Sequence, residues 1–314
     1  MKKVLLCVVI LVAGSIGAMA IFPDVTAELG IGAERSLSGL SSKTVVVDGE
    51  TWHYLEGGPE GAEVILLLHG FGGDKDNWTR FARYLTGSYR VIAPDLPGFG
   101  ESARKPDWDY ALPAQRSRVH DFAHTLGLER FHLLGNSMGG HLAALYSHAY
   151  AEQVLSMALF DNAGITAPNE SDFQRAVAQG ENPLVVDSVE DFDRLLAFVS
   201  YKEPFLPWPV RGVFAKRALE HAEFNKRIFA ALMGDNASNL EPILADIEVP
   251  VLILWGENDR VLDVSIINVM QPLMPQAEVI VMQNTGHVPM LERPKETATR
   301  YLGFIERAVA PPAP

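Results

Sequence analysis

The stretch that most constrains this chain is Phe131-His132-Leu133-Leu134-Gly135-Asn136-Ser137-Met138-Gly139-Gly140-His141-Leu142-Ala143-Ala144-Leu145. It reads as a short apolar strand that turns sharply at a serine and enters an Ala/Leu-rich helix. Glycines two residues before and two after Ser137 allow a turn too tight for side chains on either side, so the hydroxyl stands exposed at the strand's end. The bare spacing Gly-x-Ser-x-Gly arises by chance in roughly one chain in ten of this length. The strand before it and the helix after it are what make Ser137 a candidate nucleophile. A serine hydroxyl also needs a base and an acid to orient that base, and these must come from elsewhere in the chain.

A chain of 314 residues can hold one large α/β domain with an insertion or two ordinary domains. The net charge of -13 and pI near 5.1 argue against a nucleic-acid partner and against a polybasic grip on anionic lipid. Cys7 is the only cysteine, so neither an intrachain disulfide nor a cysteine-based zinc site is available. The expected chemistry calls for no metal and no cofactor.

After Met1-Lys2-Lys3 come nineteen residues, Val4 to Phe22, with Ser15 as the only clearly polar side chain. As a helix at about 1.5 Å per residue they span about 28 Å, close to the roughly 30 Å thickness of bilayer hydrocarbon. Ala18-Met19-Ala20 also fits the small-x-small site of a cleavable secretory signal. Because the chain carries the segment, the expectation is a retained single-pass anchor over residues 1–22, with the lysines cytoplasmic and the rest exported. Ala13, Gly14, Gly17 and Ala18 form two overlapping small-xxx-small pairs, which suggests a homodimer through this face. Small residues also simply abound in membrane helices.

Residues 23–42 read as a juxtamembrane helix or linker. Thr44–Val47, the turn signal Asp48-Gly49 and Thr51–Leu55 predict a hairpin. Glu63–Leu68 is a continuous apolar run suited to a strand buried on both faces. A helix with Trp78, Phe81 and Leu85 inward follows, then a strand Tyr89–Ala93, a helix near Gln115–Leu126, the strand Phe131–Gly135 with its helix, and a strand Leu155–Phe160. This alternation predicts a mostly parallel sheet with helices on both faces. It stops between residues 164 and 240, which are helical in flavour and rich in aromatics, and returns with strands near Val249–Trp255 and Glu278–Met282 and a helix at Pro294–Val309. The expected organisation is an α/β core over residues 43–163 and 241–314, with residues 164–240 inserted as a helical cap. Within the cap, Phe205, Leu206, Trp208 and Val210 lie in a proline-stiffened apolar patch that suits an acyl-pocket wall or a lid touching lipid.

Two loops after later strands offer the missing groups. The loop after Trp255 supplies Asp259, with Glu257 and Asp263 as competitors and Asp161, after an earlier strand, as another. The loop after Met282 supplies His287. Of the other histidines, His69 is expected to brace the glycine-rich loop beside it, and His132 and His141 to be packing residues. Asp95 reads as a turn-former.

His69-Gly70-Phe71-Gly72, Asp95-Leu96-Pro97-Gly98-Phe99-Gly100-Glu101-Ser102, the serine turn, Gly256-Glu257-Asn258-Asp259 and Gly286-His287 together resemble the α/β-hydrolase fold family over roughly residues 43 to 309. Within it, His69 to Trp78 resembles bacterial lipases and membrane-anchored monoacylglycerol lipases, and the whole chain is similar to a membrane-anchored bacterial phospholipase A1. The resemblance implies Ser137 as nucleophile, His287 as base, Asp259 as acid, and the backbone N–H groups of Phe71 and Met138 as an oxyanion hole. It implies a serine carboxylic-ester hydrolase of the bacterial inner membrane, with its catalytic part in the periplasm. Such an enzyme would release fatty acid from glycerophospholipid, lysophospholipid or monoacylglycerol. Carbon–carbon bond hydrolases of the same fold carry a similar serine turn, and a non-catalytic binding protein could use the fold as well.

Overall fold

A computed structural model describes residues 21–234 and 238–309. Eight strands form one sheet: β1 Leu40–Val47, β2 Glu50–Gly57, β3 Val64–Leu68, β4 Arg90–Pro94, β5 Phe131–Asn136, β6 Val154–Phe160, β7 Val251–Gly256 and β8 Glu278–Met282. Their spatial order is β1-β2-β4-β3-β5-β6-β7-β8. The expected hairpin supplies the antiparallel strands, β1 against β2 and β2 against β4, and every other pairing is parallel.

The helices of seven residues or more are α1 Pro23–Leu37, α2 Leu112–Thr125, α3 Met138–Ala149, α4 Asp172–Ala178, α5 Val189–Val199, α6 Val210–Glu220, α7 Ala222–Met233, α8 Ile267–Leu273 and α9 Pro294–Val309. The helix expected around Trp78 is short, a single 3₁₀ turn at Lys75–Trp78 followed by Thr79–Ala82. Trp78, Phe81 and Leu85 are nonetheless fully buried.

The continuous apolar strands are explained by the two faces they serve. In β3, Leu66 and Leu68 belong to one core cluster with Val119 and Phe122 of α2 and Leu142 of α3. Ile65 and Leu67 belong to the other, with Trp78, Phe81, Tyr301 and Phe304. Successive side chains leave a strand on opposite sides, so a strand covered on both faces is mostly apolar, and a polar residue in it needs a buried partner, as His132 of β5 has in Ser156 of β6 at 2.8 Å.

Residues 164–240 contain α4 to α7 and no strand among the described residues. Their own apolar core is small: Val186, Phe192 and Ala215 are buried, packed by Leu195, Leu196, Leu206 and Phe214. Helix α1 begins with a proline, carries Asp24 in its first turn and Arg35 in its last, in the sense the helix dipole favours. It lies against α6, where Asp24 pairs with Lys216 at 3.1 Å and Glu28 pairs with Arg217. Residues 1–20, including Ala13, Gly14, Gly17 and Ala18, lie outside the described residues. Among the described residues no helix is long and apolar enough to cross a membrane.

Candidate active site

Ser137 sits between β5 and α3 with φ +55° and ψ −117°, a conformation that L-residues rarely adopt. The flanking glycines make the turn possible. A Cβ on Gly135 would stand 2.0 Å from the carbonyl oxygen of Gly139, and one on Gly139 would stand 2.1 Å from that of Leu68. These are backbone atoms that cannot swing aside, so both positions exclude every side chain.

The histidine and the acid come from the loops after β8 and β7. His287 donates through Nδ1 to Asp259 Oδ2 at 2.7 Å, and both side chains are buried. The second oxygen of Asp259, Oδ1, accepts the N–H groups of Val261 at 2.7 Å and Leu262 at 3.0 Å. Three donors therefore fix the orientation of this carboxylate, and the one from Nδ1 fixes the ring's tautomer. Ser137 and His287 line one cavity of about 450 Å³. The hydroxyl makes no hydrogen bond to the ring here, and such bonds often tighten only when substrate arrives.

Asn136, which the sequence reading passed over, ties the serine to the histidine. Its Nδ2 donates to the main-chain oxygen of His287 at 3.0 Å and to that of Phe160 at 3.1 Å. A polar amide in the last position of a largely apolar strand, next to the serine, was the available signal. Glu292 was also missed. Its Oε1 accepts the N–H of Gly286 at 2.8 Å, and its Oε2 accepts those of Tyr201 at 2.9 Å and Lys202 at 3.0 Å. The N–H of His287 in turn donates to the oxygen of Val199 at 2.8 Å. The histidine loop is thus fastened directly to the C-terminal end of α5.

Opposite the serine, the loop after β3 supplies the other face. The N–H groups of Phe71 and of Met138, the first residue of α3, have no acceptor among the described residues. Gly70 abuts the serine, since a Cβ there would lie 3.2 Å from Ser137 Cβ. His69 braces this loop. Its Nε2 accepts the N–H of Leu96 at 3.0 Å, so Nδ1 carries the proton and donates to the oxygen of Gly70 at 2.8 Å. Burial holds the ring's pKa below its ordinary value and keeps it neutral.

Asp95 is more than a turn-former. Its buried carboxylate accepts the N–H and the ammonium of Lys75, both at 2.7 Å, and the N–H of Glu101 at 2.8 Å. Lys75 also pairs with Glu101 at 2.5 Å. One ion cluster thus locks the loops after β3 and β4 together, and the paired carboxylates hold the lysine's pKa above its usual value against the opposing effect of burial.

The apolar wall differs from the expected one. Of the four proposed residues only Leu206 lines the cavity. Phe205 is 77% exposed and Trp208 is 60% exposed, and Val210 faces Gly30 of α1. Pro204 and Pro209 are the buried residues of this stretch, and between them Phe205, Pro207 and Trp208 are exposed while Leu206 turns inward. The wall is built by Phe192, Leu195, Leu196 and Val199 of α5, with Phe214 of α6 and Phe71. Those α5 positions follow the i, i+3, i+4, i+7 spacing of one helix face, a signal present in the sequence.

Residues 63–294 match the family model described as alpha/beta hydrolase fold. The chain is 39% identical to Lipase 1 of Psychrobacter immobilis over 273 residues, 86% of each chain. It is 30% identical to the monoacylglycerol lipase abhd6-A of Xenopus laevis over 262 residues, 79% of this chain and 77% of that one. Among solved structures, a membrane phospholipase A described as a bacterial virulence factor is 48% identical, with a TM-score of 0.90, covering 98% of this chain and 99% of that one. On the matched span and the arrangement of the loops at the sheet's edge, the chain belongs to the α/β-hydrolase fold family.

Proposed function

We propose that Ser137, His287 and Asp259 make this chain a serine carboxylic-ester hydrolase that frees fatty acids from membrane glycerolipids or lysophospholipids through an acyl-enzyme. Hydrolysis of lipid esters is the activity named for its relatives and the chemistry its site can perform, and the chain is a lipid-ester hydrolase. The observation that carries the assignment of roles is the 2.7 Å contact between His287 and Asp259 at a cavity that also receives the strained serine.

In this mechanism the ring of His287 takes the proton of the Ser137 hydroxyl as the oxygen attacks the ester carbonyl. The N–H groups of Phe71 and Met138 receive the oxyanion, and each donor is worth about 10²- to 10³-fold in turnover. The imidazolium then protonates the departing alcohol, and water, activated by the same ring, releases the acid. The acyl chain lies along the face formed by Phe192, Leu195, Leu196 and Val199.

Residues 1–22 are the proposed anchor, holding the enzyme in the inner membrane with its catalytic part in the periplasm. Exposed Phe205 and Trp208 face the lipid surface in this reading. A homodimer through Ala13, Gly14, Gly17 and Ala18 is part of the same proposal, and unchanged sedimentation of a Gly17→Leu variant in detergent would remove it. The central test is labelling by a fluorophosphonate probe together with turnover of p-nitrophenyl butyrate and laurate. Labelling and laurate cleavage that vanish in Ser137→Ala support the assignment, whereas an unlabelled wild-type protein or absent ester turnover overturns it.

A further inference from the structure

A second carboxyl group stands inside the acid end of the site. Asp161 follows β6 directly and is 0% exposed, with φ +46°. Its N–H donates to the oxygen of Leu254 at 3.0 Å, and its Oδ1 accepts the N–H of Gly256 at 2.8 Å. Both contacts are to β7, the strand that leads to Asp259, so the left-handed backbone turns this side chain across the end of the neighbouring strand. Its Oδ2 is buried and accepts nothing. Atoms of Asp161, Asp259 and His287 all lie within 4.8 Å of one another.

We propose that Asp161 is a positioning residue, a neutral carboxylic acid whose Oδ2–H donates to the Asp259 carboxylate and fixes it for His287. This rests on the reading of Asp259 and His287 as the catalytic couple. Two buried carboxyl groups this close repel when both are ionised, and one proton on the pair relieves that repulsion. The proton goes to the carboxyl with fewer donors. Asp259 receives Val261, Leu262 and His287, whereas Asp161 receives Gly256 alone. Glu292, the other acid facing Asp161, has both oxygens occupied by N–H groups. Protonation also resolves the orphan atom, because an Oδ2–H needs an acceptor and the Asp259 carboxylate supplies one. Burial and the neighbouring carboxylate raise the Asp161 pKa well above its ordinary value, in agreement with this assignment.

The placement of one proton has consequences that a space-filling residue would not produce. If the folded protein keeps Asp161 protonated while the unfolded chain ionises it near pH 4, the folded state binds the extra proton. Its stability therefore falls with rising pH, from about pH 4 up to the raised folded pKa. Asp161→Asn cannot ionise, yet it can accept from Gly256 and donate to Asp259. Relative to wild type, its folding constant should rise by up to about tenfold per pH unit over that window.

The test is thermal and denaturant unfolding of wild type and Asp161→Asn from pH 4 to pH 8, with the infrared difference spectrum of the pair at pH 7. Expected are a stability difference that grows with pH and a protonated-carboxyl stretch present in wild type and lost in the variant. A difference that stays flat above pH 5, or the absence of that band, overturns the proposal. Neither measurement needs turnover, so each can fail independently of the catalytic assignment. Kinetics supply the positional arm. Asp161→Asn should keep kcat within about tenfold, while Asp161→Ala, which removes the donor, should lose about 10²-fold, the cost of a misplacement near 1 Å. A fall in Asp161→Asn as deep as that in Asp259→Asn would mean that the charge of residue 161 is needed, and the neutral-donor assignment would be wrong.

Discussion

The sheet edge and the helical wall opposite it enclose one cavity but are held by different forces. At the sheet edge, Ser137, His287 and Asp259 are fixed by backbone hydrogen bonds, by glycines that pass within van der Waals contact of carbonyl oxygens, and by two layers of core beneath them. The wall rests on three buried side chains and a belt of ion pairs that reach solvent, among them Arg211 with Asp193 and Glu203, and Arg217 with Glu28. Exposed pairs of this kind contribute little stability each. The difference separates two jobs. Chemistry needs groups held to a fraction of an ångström, and a pocket for acyl chains needs a surface that can adapt.

The largest effect expected from this contrast is at the serine. Ser137→Ala should lower kcat by about 10⁵- to 10⁶-fold while leaving the melting temperature close to that of wild type, since the substitution relieves no contact and removes one hydroxyl. A melting temperature that fell by many degrees would instead show that the hydroxyl helps to hold the turn, measurable by calorimetry.

Next in size is a pair of glycine substitutions that asks whether the two regions differ in tolerance. Gly139→Ala places a Cβ 2.1 Å from the oxygen of Leu68, and should cost about 3 kcal/mol, the upper end for overpacking, together with most activity. Gly212, inside α6 of the wall, would meet nothing within 4 Å. Gly212→Ala should therefore stabilise the protein by about 0.5–1 kcal/mol through helix propensity. Chemical denaturation of both variants measures the difference, and equal losses would erase the distinction between a rigid edge and a tolerant wall.

The same distinction explains what could be read from the residues alone. Backbone clearances dictate Gly135 and Gly139, and the proposed activation of a hydroxyl accounts for Ser137, His287 and Asp259, so their identities and order point to the fold and to the site's centre. The central strands were readable because burial on both faces disfavours polar residues, and the edge hairpin because of its Asp48-Gly49 turn. The wall was misplaced because many apolar sequences can line a pocket. Aromatic density marks Phe205 and Trp208, whereas the lining follows the regular helical face of Phe192, Leu195, Leu196 and Val199. Asn136, Lys75 and Glu292 escaped because their partners are backbone groups and acids distant in sequence, which no local pattern reveals. Residues 1–22 provided the anchor and dimer readings, and these stay proposals, with Gly17→Leu as the test of the dimer.

Specificity should respond to the wall alone. Phe192 is buried within the small helical cluster and lines the cavity, so Phe192→Ala opens space on the acyl side without touching the hydrogen bonds of the sheet edge. For p-nitrophenyl laurate, kcat/KM should fall about tenfold, in line with about 1–3 kcal/mol for apolar pocket contacts. For the butyrate ester, whose chain is eight carbons shorter, the loss should stay within about threefold. That split identifies α5 as the surface that measures chain length. Equal losses on both esters would mean that the substitution had disturbed the His287 loop, which hangs from α5 through the oxygen of Val199. The wall and the edge would then be one mechanical unit, and the separation between adaptable binding and fixed chemistry would not hold.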